Sequence, residues 1–144
     1  MEDMDIFKRV NMPVDVLFLC PHHAAKSVIA AAYFNQIAQE KGLMMTADSA
    51  GTEPSEAVMP IVVSLLANEG IDVSRHQPRY VTMAELQSAR RVISMGCTAE
   101  ELGMSETRIE AWDDVPAVSL NPEQARNAIQ VRVEQLMDQL KNEK

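Results

Sequence analysis

The segment Val14-Asp15-Val16-Leu17-Phe18-Leu19-Cys20 constrains the chain more than any other. Apart from Asp15 it is apolar. A short apolar run followed by a loop and then a helical pattern reads as a β-strand buried on both faces. Such a strand needs layers above and below it, and the rest of the chain supplies them. A helix is expected from about Lys26 to Lys41, because Ile29, Ala30, Tyr33, Phe34, Ile37 and Ala38 recur at helical spacing and Gly42 is a natural stop. A second strand fits Met44 to Ser49. Pro60 opens a helix that ends near Gly70. Thr82-Met83-Ala84-Glu85 and Thr98-Ala99-Glu100-Glu101 are capping-box patterns. Arg91 to Met95 and Arg108 to Trp112 read as the third and fourth strands. Asn121-Pro122 opens a last helix with an apolar stripe at Ala125, Ile129, Val133, Leu136 and Leu140.

Strands alternate with helices throughout, which predicts an α/β fold: a three-layer α/β/α sandwich around a central four-stranded parallel sheet. Residues 1–12 read as a polar lead-in and 13–144 as a single domain. In such folds ligands bind beyond the C-terminal ends of the strands. Cys20, Ser49, Cys97 and Asp113 all fall at such ends.

The loop after the first strand carries the strongest chemical signal. Cys20 ends the strand and a helix begins six residues later. Backbone N–H groups of Pro21-His22-His23-Ala24-Ala25-Lys26-Ser27 (all but the proline) can point inward, and the helix N-terminus adds its positive dipole end. Both favour an anion and the thiolate form of a cysteine, which is the nucleophilic form. Lys26 places a cation beside that anion, and Ser27 can hydrogen-bond the sulfur.

Cys20-x5-Lys26-Ser27 after a buried strand resembles the phosphate-binding loop of the low-molecular-weight protein tyrosine phosphatases and the related thioredoxin-type arsenate reductases. Asp48-Ser49-Ala50-Gly51-Thr52 resembles the second-strand motif of that family. Gly70-Ile71-Asp72-Val73-Ser74-Arg75-His76 resembles its next signature. Val92-Ile93-Ser94-Met95-Gly96-Cys97 looks closer to the arsenate reductase branch. The resemblance implies that Cys20 attacks arsenate held by residues 21–27, that Ser49 supports the loop, and that Cys97 is the resolving thiol. It also implies an external reductant: thioredoxin, glutaredoxin or a low-molecular-weight thiol. The phosphatase branch instead implies phosphoester hydrolysis through a phosphocysteine.

The chain departs from the family pattern in three places. Lys26 stands where the family has Arg, which keeps the charge and loses the bidentate fork. His23 stands where the family has Asn, a position that often needs a left-handed backbone. His22 and His23 are read either as loop residues without a catalytic role or as a source of imidazolium charge. The family places its acid Asp directly before Pro, whereas Trp112-Asp113-Asp114-Val115-Pro116 puts Val115 there, leaving Asp113 or Asp114 as the candidate acid. Lys26 and the displaced Asp keep a third reading open, an oxyanion-binding or partner-binding member without turnover.

Charge and composition set further bounds. The formal net charge of −8 makes the chain a poor general binder of nucleic acid or anionic membrane. No apolar run is long enough to span a bilayer, and a cytoplasmic location is expected. Two cysteines are too few for a disulfide scaffold. No acidic or Cys partner has ligand spacing to the paired histidines, so no metal and no cofactor is expected.

Overall fold

The computed structural model describes residues 13–143, so the lead-in reading of 1–12 lies outside the described residues. Strands β1 (Val16–Leu19), β2 (Ala47–Ala50), β3 (Arg91–Ser94) and β4 (Ile109–Ala111) form one parallel sheet in the order β2-β1-β3-β4. Five helices cover it: α1 (Lys26–Glu40), α2 (Pro60–Ala67), α3 (Met83–Ser88), α4 (Ala99–Leu102) and α5 (Pro122–Asn142). This is the three-layer sandwich the alternation predicts.

The period of two along β1 splits the core. Val16 and Phe18 face α1, α2 and α5, and the Phe18 ring lies 6.2 Å from Phe34 and 5.6 Å from Trp112. Leu17 and Leu19 face the other way, towards Leu86 of α3 and Leu102 of α4. Cys20 continues the Val16–Phe18 side, so its sulfur is presented on the face that α1 covers. Cys97 packs with the opposite cluster.

Several strand ends are shorter than the apolar runs suggest. β1 begins at Val16 because the N–H groups of Asp15 and Val16 both donate to Thr46 O, in a turn that Asp15 also closes by accepting from Thr46 N. β2 therefore starts at Ala47 and extends one residue past Ser49. Its outer edge is closed by Asn35, which donates to Ala47 O at 3.0 Å and accepts from Ala47 N at 2.9 Å. Ahead of β4, residues Glu106–Arg108 form a 3-10 turn under a Ser105 cap. The predicted caps at Thr82, Thr98 and Asn121 are present. Gly42 adopts φ +67° just after α1.

Gly51 lets the end of β2 lie against the loop after β1. A Cβ there would stand 2.5 Å from Pro21 O and 2.7 Å from Cys20 O. These are backbone atoms, which cannot swing aside. Gly51→Ala is therefore expected to destabilise the protein by about 1–3 kcal/mol through overpacking and to slow alkylation of Cys20. Gly42→Ala, strained in φ but facing open space, should cost only about 1 kcal/mol and leave Cys20 untouched. Urea unfolding and iodoacetamide labelling of both variants check this pair.

Candidate active site

The loop between β1 and α1 is shaped by where its carbonyls go. Cys20 O accepts from His23 N at 3.3 Å, Pro21 O from Glu53 N at 2.7 Å, His22 O from Ser55 N at 2.9 Å, Ala24 O from Met59 N at 3.0 Å and Ala25 O from Ile29 N at 3.0 Å. The N–H groups of His22, Ala24, Ala25 and Lys26 have no acceptor among the described residues. Carbonyls mostly committed away from the loop, with unspent N–H groups beside one sulfur, are a cradle-like arrangement that suits an anion. No acidic side chain lies in the first turn of α1, and Ala25 offers no side-chain cap, so nothing there competes for the dipole.

Cys20 is buried, with 6% of its surface exposed. Its thiol donates to Ser27 Oγ at 3.0 Å, and Ser27 N–H donates to the sulfur at 3.4 Å. A Ser27 hydroxyl can also turn its hydrogen to a sulfur acceptor, so both of its donors can serve the Cys20 sulfur. The Lys26 ammonium donates to Val115 O at 3.0 Å. His22 sits on the rim with Nδ1 3.0 Å from Glu53 O.

His23 has φ +49° and no exposed surface, so the left-handed position is real and the ring is structural. Arg79 N–H donates to His23 Nδ1 at 3.0 Å, which puts the ring proton on Nε2. That nitrogen lies 2.7 Å from Ser49 Oγ and 2.9 Å from His76 Nε2. Arg79 is fixed in turn by Asp48, at 3.0 Å, and by Glu85, which also caps α3. Burial, then the charges of His76 and Arg79, push the His23 pKa down to about 4. The imidazolium reading of His23 is therefore corrected: at neutral pH the ring is uncharged.

Cys97 is buried and unpaired with Cys20. Ser94 Oγ holds its backbone at both ends, accepting from Cys97 N at 2.8 Å and donating to Cys97 O at 2.6 Å. Its sulfur is 3.7 Å from Thr52 Oγ1. Burial raises the Cys97 thiol, and negative charge at Cys20 raises it further, while Thr52 opposes the shift. The turn before it touches the Cys20 loop, since a Cβ on Gly96 would come within 3.1 Å of Pro21 Cδ.

Asp113 and Asp114 are both exposed. Asp114 is bound by Arg132 at 2.5 and 2.6 Å, and that guanidinium holds its carboxyl below the usual range. Among the described residues there is no group of three or more His, Cys, Asp or Glu that could hold a metal ion. None of the described helices is long and apolar enough to cross a membrane.

Residues 15–113 match the family described as low molecular weight phosphotyrosine protein phosphatase. The chain belongs to this family. Among its relatives is a Halobacterium salinarum protein named "Putative arsenate reductase", 29% identical over 85% of this chain and 89% of that one. YfkJ of Bacillus subtilis shares the fold with a TM-score of 0.79 and 26% identity, over 93% of this chain and 98% of its own. The thioredoxin-dependent arsenate reductase Cg_ArsC1' of Corynebacterium glutamicum has a TM-score of 0.76 and 25% identity, over 96% of this chain and 67% of its own. The family thus includes arsenate reductases as well as phosphatases.

The structure adds residues to this phosphatase-family site that the sequence reading did not single out. His76 lies in the Gly70–His76 motif, but only the fold brings its ring onto His23. Arg79 acts through its backbone N–H as much as its charge, and Thr52 and Ser94 surround Cys97. Residues 53–59, which hold the loop's carbonyls, carry no sequence signature of that task.

Because the folded-state pKa of His23 lies below its unfolded value of about 6.5, the protein favours the neutral ring. That contribution is complete above about pH 6.5 and is lost as pH falls through about 4. His23→Asn should accordingly flatten stability between pH 7 and 4.5, removing roughly 2–3 kcal/mol of pH-dependent loss. Parallel denaturant titrations of the two proteins measure the difference.

Proposed function

We propose that this chain is a thiol-dependent arsenate reductase in which Cys20 is the nucleophile and Cys97 the resolving thiol. The observation that carries the reading is a second buried thiol on the turn that touches the Cys20 loop. A phosphatase reading has no use for it. The arsenate reductases among the chain's relatives support the substrate class.

The chemistry follows from the cradle. Arsenate would sit on the N–H groups of residues 22–27, except that of His23, which donates to Cys20 O. Cys20 thiolate attacks arsenic, a sulfur–arsenic bond forms, and an arsenate oxygen leaves as water. Cys97 then attacks the Cys20 sulfur. A disulfide forms, the sulfur–arsenic bond breaks, and its electron pair stays on arsenic, which leaves as arsenite. An external dithiol or two low-molecular-weight thiols reduce the disulfide. The thioredoxin dependence of the Corynebacterium relative motivates thioredoxin as a first reductant to try. For the disulfide to close, the hold of Ser94 on the Cys97 backbone must open, and Gly96 at φ +118° is the natural hinge.

Phosphoester hydrolysis would also need a protonated acid for the leaving alcohol. Arg132 keeps Asp114 ionised, which leaves Asp113 for that role. Arsenate reduction makes less demand on either carboxylate. We assign neither Asp a role in the thiol steps.

Arsenate reduction with thioredoxin, glutaredoxin with glutathione, or dithiothreitol tests the reading. Wild type should turn over, Cys20→Ser should be inactive, and Cys97→Ser should fall by about 100-fold or more, as for residues that act as one unit. Non-reducing mass spectrometry should find a Cys20–Cys97 disulfide after one turnover without reductant. Wild-type turnover by Cys97→Ser, or aryl-phosphate hydrolysis without arsenate reduction, would sink the proposal.

A further inference from the structure

Two of the chain's departures from its family pattern touch each other. Lys26 replaces the Arg, Val115 takes the place before Pro116, and Lys26 Nζ donates to Val115 O at 3.0 Å across 89 residues of sequence. The ammonium starts at the first residue of α1, whose own N–H belongs to the cradle. Its acceptor lies in the segment carrying Asp113 and Asp114. Val115 and Val118 are buried in the core that also contains Cys20, so the carbonyl is held at a defined place.

A neutral carbonyl is a weaker acceptor for an ammonium than an oxyanion oxygen. An anion entering the cradle would therefore compete for Lys26 on favourable terms. We propose, building on the oxyanion reading above, that Lys26 is a positioning residue that couples the cradle to residues 113–118. It fastens Val115 before an anion binds and transfers to an oxyanion oxygen when one does, releasing the segment. Pro116 fixes its own φ and restricts Val115, so the released peptide shifts with its neighbours and does not simply rotate in place.

The structure also contains a reporter. Arg132 of α5 binds Asp114 at 2.5 and 2.6 Å and lies over the indole of Trp112, 5.5 Å from the ring centroid. Trp112 is the single tryptophan of the chain. Its own backbone is pinned to the sheet by donation to Ser94 O at 2.8 Å. Movement of Asp114 shifts Arg132 over a stationary indole, and the emission of Trp112 should register it.

The test uses the full reduced chain and inorganic phosphate, which the thiols do not reduce, at constant ionic strength. Two signals are followed: Trp112 emission and protection of Cys20 from iodoacetamide. In wild type both should saturate with the same midpoint. In Lys26→Met the protection midpoint should rise about tenfold, as for loss of one charge-assisted bond. Its emission without phosphate should already match that of phosphate-bound wild type and should not change further. Lys26→Arg, which keeps the charge and donors, should retain both responses. Wild type that is protected at Cys20 with unchanged emission overturns the coupling and spares the oxyanion reading. So does a full emission response in Lys26→Met, or its absence in Lys26→Arg that still protects Cys20. If neither phosphate nor arsenate protects wild-type Cys20, the oxyanion reading itself fails and takes the coupling with it.

Discussion

A peptide group that turns its N–H inward turns its carbonyl outward, where that carbonyl needs a partner of its own. The site depends on that condition at the loop after β1. Five carbonyls between Cys20 and Ala25 have donors: three lie in residues 53–59, one is Ile29 N of α1, and one is His23 N within the loop itself. That segment acts as a mould. It reaches the loop because Gly51 allows β2 to end within a carbon's width of Pro21 O and Cys20 O. A net charge of −8 does not argue against the proposed anion here, because fixed N–H dipoles act locally while scattered surface carboxylates are screened by solvent.

The parts legible in the sequence were those set by local pattern. The alternation of apolar strands and periodic helices specified the layers, and Thr82, Thr98, Asn121 and Gly42 marked helix ends because caps and left-handed stops are local chemistry. Cys20-x5-Lys26-Ser27 marked the turn between β1 and α1 and, through its resemblance, the family. The ends of β1 and β2 were less legible. The Asp15–Thr46 turn removes residues from each strand through a contact between segments thirty residues apart, and an apolar run carries no trace of it. The paired histidines show the same limit. His23 was readable as a left-handed position, but its charge state depends on Arg79 N–H and His76, which reach it only through the fold. Lys26 was readable as a cation; that it bonds to Val115 O was not.

His23 also shows how the fold absorbs a departure. A short amide side chain at this position would have two different polar ends. The imidazole meets the same need with one ring: Nδ1 accepts from Arg79 N–H and Nε2 faces Ser49 and His76. The larger ring binds the loop, β2 and the segment after α2 through one side chain. It also brings a titratable group into a fully buried place, so the shape of the loop becomes tied to a neutral imidazole. The Asp48–Arg79–Glu85 ion pairs fix the backbone that supplies one of those bonds. They are half-exposed and stabilise little as charge pairs. Their effect is to position Arg79 N–H.

The two thiols sit in different surroundings. Cys20 has the Ser27 hydroxyl and backbone N–H on its sulfur, in a loop that also carries unspent amides. Cys97 is raised by burial and again by negative charge at Cys20, with the Thr52 hydroxyl as a counterweight. Burial is the largest of these influences on Cys97. The proposed disulfide would join residues that pack into cores on opposite sides of the sheet, next to the point where the turn at Gly96 lies against Pro21.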